Sequence, residues 1–170
     1  MREILADSLK QSDALIEEAQ RNMIALGLPG LDDNLPGAVA VAGRTLKDGG
    51  KSKYSVIVHG DMRHLRPMVR DDVYGIAREA LSNAFRHAGA NEIEAEFFYE
   101  RNEMRVYVRD DGCGISSTAL WGPNCQRHRG ILEMRRKARR SGAALEIRSG
   151  RNAGAEIEIR LPSALAYEVD

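Results

Sequence analysis

Apolar residues recur along this chain in two rhythms, one helical and one alternating, and the changes between them mark out the elements. Leu5, Leu9, Ser12, Ile16, Ala19, Met23 and Leu26 step by four and three, which predicts one helix over residues 2–26 with a heptad seam broken only by Ser12. The seam is read either as a surface for other helices, a second subunit's included, or as the apolar side of a helix laid on its own domain. Gly27, Pro29 and Gly30 break it, Asp32, Asp33 and Asn34 offer caps, and Pro36 suits the first turn of a helix running to about Lys47 before Asp48, Gly49 and Gly50. Residues 54–59 form a short β-rich run. Asp71 and Asp72 sit where a helix N-terminus favours acids, and Val73, Ile76, Ala77, Ala80, Leu81, Ala84 and Phe85 follow at helical spacing. Ile93, Ala95, Phe97 and Tyr99 alternate with glutamates, with Phe98 alone out of pattern, and Met104, Val106 and Val108 alternate with Arg105, Tyr107 and Arg109. A helix over 130–141 stops at Gly142, and strands over 145–149 and 156–161 follow. Strand pairs that follow helices predict a two-layer α/β sandwich, helices on one sheet, preceded by a separate N-terminal helix.

Composition narrows the possibilities without choosing among them. With 43% apolar and 29% charged residues, the 170-residue chain is long enough to bury a core and is not composed like a disordered one. Its 25 cations and 25 anions cancel, so net charge points to neither nucleic acid nor a membrane surface. No apolar run approaches the roughly 20 residues of a membrane span, and Met1 leads into a charged helix rather than a signal peptide. Cys113 and Cys125 match no zinc spacing or disulfide framework and are expected to be reduced thiols in a cytoplasmic setting.

Three segments carry candidate chemistry. Glu79, Asn83 and His87 are spaced i, i+4, i+8 on a helix otherwise apolar, so they share a face. A carboxylate and an amide oxygen one turn apart suit Mg²⁺, and the glutamate could equally orient a nucleophile; the competing reading is a solvated face with Glu79 paired to Arg78 or Arg86. In the second, a strand runs into Asp110, Asp111, Gly112, Cys113 and Gly114, where glycines admit a flat ligand and a carboxylate accepts from an exocyclic amine; a plain Asp-Gly hairpin turn fits as well. In the third, Gly130 opens a helix whose free N–H groups could meet phosphates, and seven lysines and arginines lie from Arg127 to Arg140; alternatively these are solvated or complement the helix C-terminus. Few aromatics accompany them, which argues against nucleic acid.

The order of the three segments is more specific than any one of them, and it resembles the Bergerat ATP-binding fold. The stretches REALSNAFRHAGA from Arg78, VRDDGCGI from Val108 and HRGILEMRRKA from His128 are similar to the N box and two glycine boxes of bacterial sensor histidine kinases of the NarL-system type. The resemblance covers roughly residues 53–162. It implies an ATP-binding catalytic domain at 51–163, a linker and first helix at 28–50, a tail at 164–170, and at 1–27 the second helix of a dimerisation bundle. It also implies ATP and Mg²⁺ as cofactors. Asp110 would accept from the adenine amino group, with Gly112, Gly114 and Ile115 wrapping the base. Asn83 and Glu79 would hold the metal, Glu79 through a metal-bound water or else helping proton transfer, and Arg86, His87, Gly130 and Ile131 would lie about the phosphates. The implied partners are the chain's own dimerisation helices in a homodimer and a response regulator, with no nucleic acid and no membrane contact by this part of what is expected to be a membrane-bound sensor.

The sequence departs from that family in places that matter. Arg127 and Glu133 stand where glycines are usual, which stiffens the lid and puts an extra acid near the phosphates, and Ala155 follows Gly154 where a threonine hydroxyl is usual. Losing one such hydrogen bond costs about 0.5–1.5 kcal/mol. None of His59, His64, His87 and His128 sits in a phosphoacceptor helix, so the acceptor histidine is expected outside this chain. A non-catalytic nucleotide-binding or dimerisation module with a degenerate lid is the alternative, and a serine kinase of the anti-sigma-factor type is a third reading, opposed by the heptad helix.

Overall fold

The computed structural model describes residues 34–47, 50–115 and 129–168. The expected helix at 2–26 and the positions of Cys125 and Arg127 lie outside them. Helix α1 (Leu35–Lys47) and strand β1 (Lys53–His59) lead into helix α2 (Pro67–Asn83), which continues as one π-helical turn, Ala84–Ala88. Strands β2 (Glu92–Tyr99) and β3 (Glu103–Asp110) follow, then helix α3 (Arg129–Ser141), strands β4 (Ala144–Ser149) and β5 (Ala155–Pro162), and a single turn, α4 (Ser163–Ala166).

The strands form one sheet in the order β1-β2-β3-β5-β4. β1 pairs parallel with β2, which is possible because α2 carries the chain back across the sheet; every other pairing is antiparallel. The alternation read from the sequence decides which side is which. Ile93, Ala95, Phe97, Val106, Val108, Ile157, Ile159 and Leu161 turn to one face and are buried with Val39 of α1, Val73, Ile76 and Leu81 of α2, and Met134 of α3. The helices therefore cover one face, giving the two-layer α/β sandwich the pattern predicts.

The other face is a lattice of charge. Arg109 reaches Glu96 at 2.5 Å and Glu156 at 2.6 Å, Arg148 joins Glu156 at 2.7 Å and Glu158 at 3.1 Å, and Tyr107 donates its hydroxyl to Glu158. Phe98, out of step in the sequence, belongs here: His59 stacks on its ring at 4.4 Å, and Arg105 lies 5.1 Å from its centroid. His59 is exposed and bonded to Glu96. Among the described residues no helix is long and apolar enough to cross a membrane.

Two expectations are corrected. Helix α2 begins at Pro67, whose ring fixes φ for a first helical residue, and no acid lies in its first turn. Asp72 is instead wholly buried and is held by Arg140 of α3, its Oδ2 accepting from Nε at 2.9 Å. The tail expected at 164–170 is, where described, part of the core: Ala166 and Tyr167 are buried, Tyr167 bridges Leu65, and Arg63 caps the Tyr167 ring at 3.7 Å.

Candidate functional site

A cavity of about 580 Å³ opens between the sheet and helices α2 and α3. Its walls bring together eight of the ten residues picked out from the sequence: Glu79, Asn83, His87, Asp110, Gly114, Ile115, Gly130 and Ile131. Gly112 and Arg86 do not line it. Gly112 is buried beneath the loop, where a Cβ would fall 2.3 Å from the Ala88 carbonyl oxygen, and Arg86 is exposed. Ala80, Ala88, Ala155, Ile157 and Arg129 complete the lining. Of these, the sequence ties only Ala155 to the site; alanines carry no chemical signal, and Arg129 is one of seven cations in its stretch.

Helix α2 presents Glu79 and Asn83 one turn apart. Eight residues of straight α-helix would carry His87 about 80° round from Glu79. The wider π-turn over Ala84–Ala88 undoes part of that rotation and returns His87 to the cavity. Gly89, left-handed at φ 60°, ends the turn. Glu79 also touches α3: a Cβ on Gly130 would lie 1.9 Å from its Oε1, so Gly130 gives the carboxylate its place at the start of that helix.

The loop after β3 is built to hold one carboxylate. Asp110 accepts from the Gly112 N–H at 2.9 Å and from the backbone of Ala155. Burial pushes the Asp110 carboxyl above the usual range, the two N–H groups pull it back, and neighbouring Asp111 adds a smaller upward push. Asp111 itself turns away from the cavity. Its carboxylate accepts from the Asn91 and Glu92 N–H groups at 2.7 and 2.9 Å, with the Glu92 bond foremost in holding its pKa low. The two adjacent acids therefore have different roles, one facing the cavity and one fastening β2.

Backbone bonds clasp the loop on both sides. Cys113 N–H donates to Ala88 O at 2.9 Å, Gly154 N–H to Gly112 O at 2.9 Å, and Asn152 N–H to Cys113 O at 3.0 Å. Gly114 and Gly154 are left-handed, and a Cβ on Gly154 would lie 1.9 Å from Asp110 O. Cys113 is a free, exposed thiol. Glu133, expected near the phosphates, does not line the cavity; it is exposed and paired with Arg136 at 2.8 Å. The extra acid is thus neutralised on the outer side of α3.

The cavity thus carries a carboxylate beside small apolar walls, a carboxylate–amide pair and a basic helix start. A sequence profile for histidine kinase-, DNA gyrase B-, and HSP90-like ATPases matches residues 68–165. The sensor histidine kinase LiaS of Bacillus subtilis is 27% identical over 157 residues, which is 91% of this chain and 42% of LiaS. The nitrate/nitrite sensor protein NarX of Escherichia coli is 32% identical over 84 residues, 49% of this chain and 13% of NarX, so the chain spans less than half of either relative. Among solved structures, the histidine kinase domain of the Erythrobacter litoralis blue-light activated kinase superposes with a TM-score of 0.66 at 22% identity, covering 85% of this chain and 69% of that one. The catalytic domain of the histidine kinase ThkA gives 0.61 at 15%, covering 75% and 90%. The profile spans more than half of the chain and contains every wall of the cavity; the chain belongs to the histidine kinase-, DNA gyrase B-, and HSP90-like ATPase family.

Proposed function

We propose that the cavity binds ATP with Mg²⁺ and that the chain is the ATP-binding, catalytic part of a two-component sensor histidine kinase. What carries this reading is Asp110, a carboxylate fixed by two N–H groups in a cavity it shares with Glu79 and Asn83. The Asp110 carboxylate keeps acceptor capacity for the adenine amino group, and Ala88, Ala155 and Ile157 provide apolar contact for a flat base. Glu79 and Asn83 offer two hard oxygens, too few to enclose a cation alone and suited to Mg²⁺, which keeps waters and phosphate oxygens in its shell. Mg²⁺ held there would offset charge on the leaving diphosphate. Glu79 would orient a water or assist proton transfer. His87, Gly130 and Ile131 would surround the phosphates, and the contact expected of Arg86 passes to Arg129, which lines the cavity where Arg86 does not.

The phosphate acceptor would be a histidine of the dimerisation helices, outside the cavity, with a response regulator receiving the phosphate next. Action as a homodimer on the cytoplasmic side of a membrane sensor belongs to the same proposal. Calorimetry of the chain with Mg²⁺ and a non-hydrolysable ATP analogue tests it. Wild type should bind, and Asp110→Asn should lose about tenfold or more, the worth of a hydrogen bond to a charged group. No binding by wild type, or an unchanged Asp110→Asn, overturns it. With a histidine-bearing dimerisation segment supplied, acid-labile phosphate is expected; phosphoserine on a protein partner would instead favour an anti-sigma-type kinase.

A further inference from the structure

Ser149, the last residue of β4, lies opposite Ala155 in the sheet. Its hydroxyl donates to Gly154 O at 2.9 Å and accepts from the Ile115 N–H at 2.7 Å. One side chain thus closes the turn between β4 and β5 and holds the far end of the Asp110 loop. The fit is close: a Cβ on Gly114 would lie 2.9 Å from the same Oγ. The loop's other ties lie nearer β3: the Asp110 carboxylate holds the Gly112 N–H, and the bonds at Gly112 O and Cys113 are backbone bonds that no side-chain substitution removes. Ile115 and Gly114 line the cavity, whereas Gly112 and Cys113 do not. The hydroxyl therefore governs the part of the loop that would meet a ligand.

From this we infer that Ser149 is a positioning residue for the nucleotide: it preorganises Gly114 and Ile115 before ligand arrives, so that binding need not order them. Its hydroxyl stands across the strand pair from Ala155, the position where the related kinases were expected to carry theirs. The inference rests on the cavity being the nucleotide site.

The test compares wild type, Ser149→Ala and Ser149→Thr by calorimetry with Mg²⁺ and a non-hydrolysable ATP analogue, alongside hydrogen exchange at the Ile115 amide. In nucleotide-free wild type that amide should be protected. Ser149→Ala should lose the protection and bind about five- to tenfold more weakly, one hydrogen bond's worth, with an unfolding midpoint close to wild type. Ser149→Thr, which keeps a hydroxyl, should restore affinity to within about twofold. Equal affinity in Ser149→Ala overturns the inference, as does a folded Ser149→Thr that fails to restore binding. An Ile115 amide that exchanges freely in wild type also overturns it, and decides the matter if Ser149→Ala does not fold. Failure of wild type to bind would instead overturn the nucleotide-site reading, and this inference with it.

Discussion

Gly112 and Gly130 both lie within glycine motifs, yet the atoms around them give opposite expectations. A methyl group at Gly112 meets the Ala88 carbonyl oxygen at 2.3 Å and its Cβ at 2.6 Å, and a backbone held by the Cys113–Ala88 hydrogen bond cannot retreat. Gly112→Ala is therefore expected to destabilise the domain by about 1–3 kcal/mol, the usual range for forced overpacking, as read by chemical denaturation. At Gly130 the methyl group meets the carboxylate of Glu79, the free end of a side chain that can rotate. Gly130→Ala should keep wild-type stability, helped by alanine's helix preference, while moving Glu79 and weakening Mg²⁺-dependent nucleotide binding relative to Mg²⁺-free binding. A Gly130→Ala protein that unfolds early, or whose Mg²⁺ dependence is unchanged, would show that the Glu79 contact does not set the carboxylate's position.

Helices α2 and α3 form two walls of the cavity, and Asp72 with Arg140 ties them together away from it. The Asp72 carboxylate has no solvent exposure, whereas the Arg140 side chain keeps about half of its surface in water, at 53% exposed. Removing the exposed partner should thus be the harsher change, because it strands a buried charge. Arg140→Ala is expected to lower the melting temperature by more than Asp72→Asn does, and the double variant should recover part of the loss; additive losses in the double-mutant cycle would deny the coupling. This tie also marks where sequence reading stops. Alternation made β2, β3 and β5 legible and helical spacing made α2 so, because burial on one face enforces both, whereas β1 was legible only from its β-rich composition. The candidate row Glu79, Asn83 and His87 and the Asp110 loop were legible because their chemistry is concentrated in short spans. The pairing of Asp72 with Arg140, 68 residues apart, was not, and two acids after a proline were read as a helix start. The π-turn that returns His87 to the cavity leaves no compositional mark either.

For the molecule as a whole, acid stability follows from how its carboxylates are held. The Arg109 guanidinium first, and then Arg148, keep Glu156 below the usual carboxylate range against the opposing effect of burial. At Glu96 burial alone would raise the carboxyl, but hydrogen bonds from Arg109 and His59 outweigh it and the net direction is down. Asp111 is lowered by the Glu92 and Asn91 N–H groups. A carboxyl whose folded pKa is depressed contributes stability above its unfolded pKa, and that contribution drains away as pH falls through the folded value. Asp110 runs the other way: its folded pKa is raised, so its ionisation opposes folding near neutrality, and protonation relieves that opposition. Three lowered groups against one raised group predict a net loss of stability on acidification, beginning below about pH 5.5 as unfolded carboxylates start to take up protons. Melting temperature should be nearly flat from pH 8 to about 5.5 and fall beneath that. Glu156→Gln should flatten the fall, since it removes one proton that the unfolded state takes up first. Asp110→Asn should do the reverse in sign, raising stability at neutral pH while weakening nucleotide binding about tenfold or more. If Asp110→Asn instead lost stability at pH 7 and kept it at pH 4, Asp110 would be a fastening acid like Asp111, and the cavity would lose the one carboxylate that singles it out for adenine.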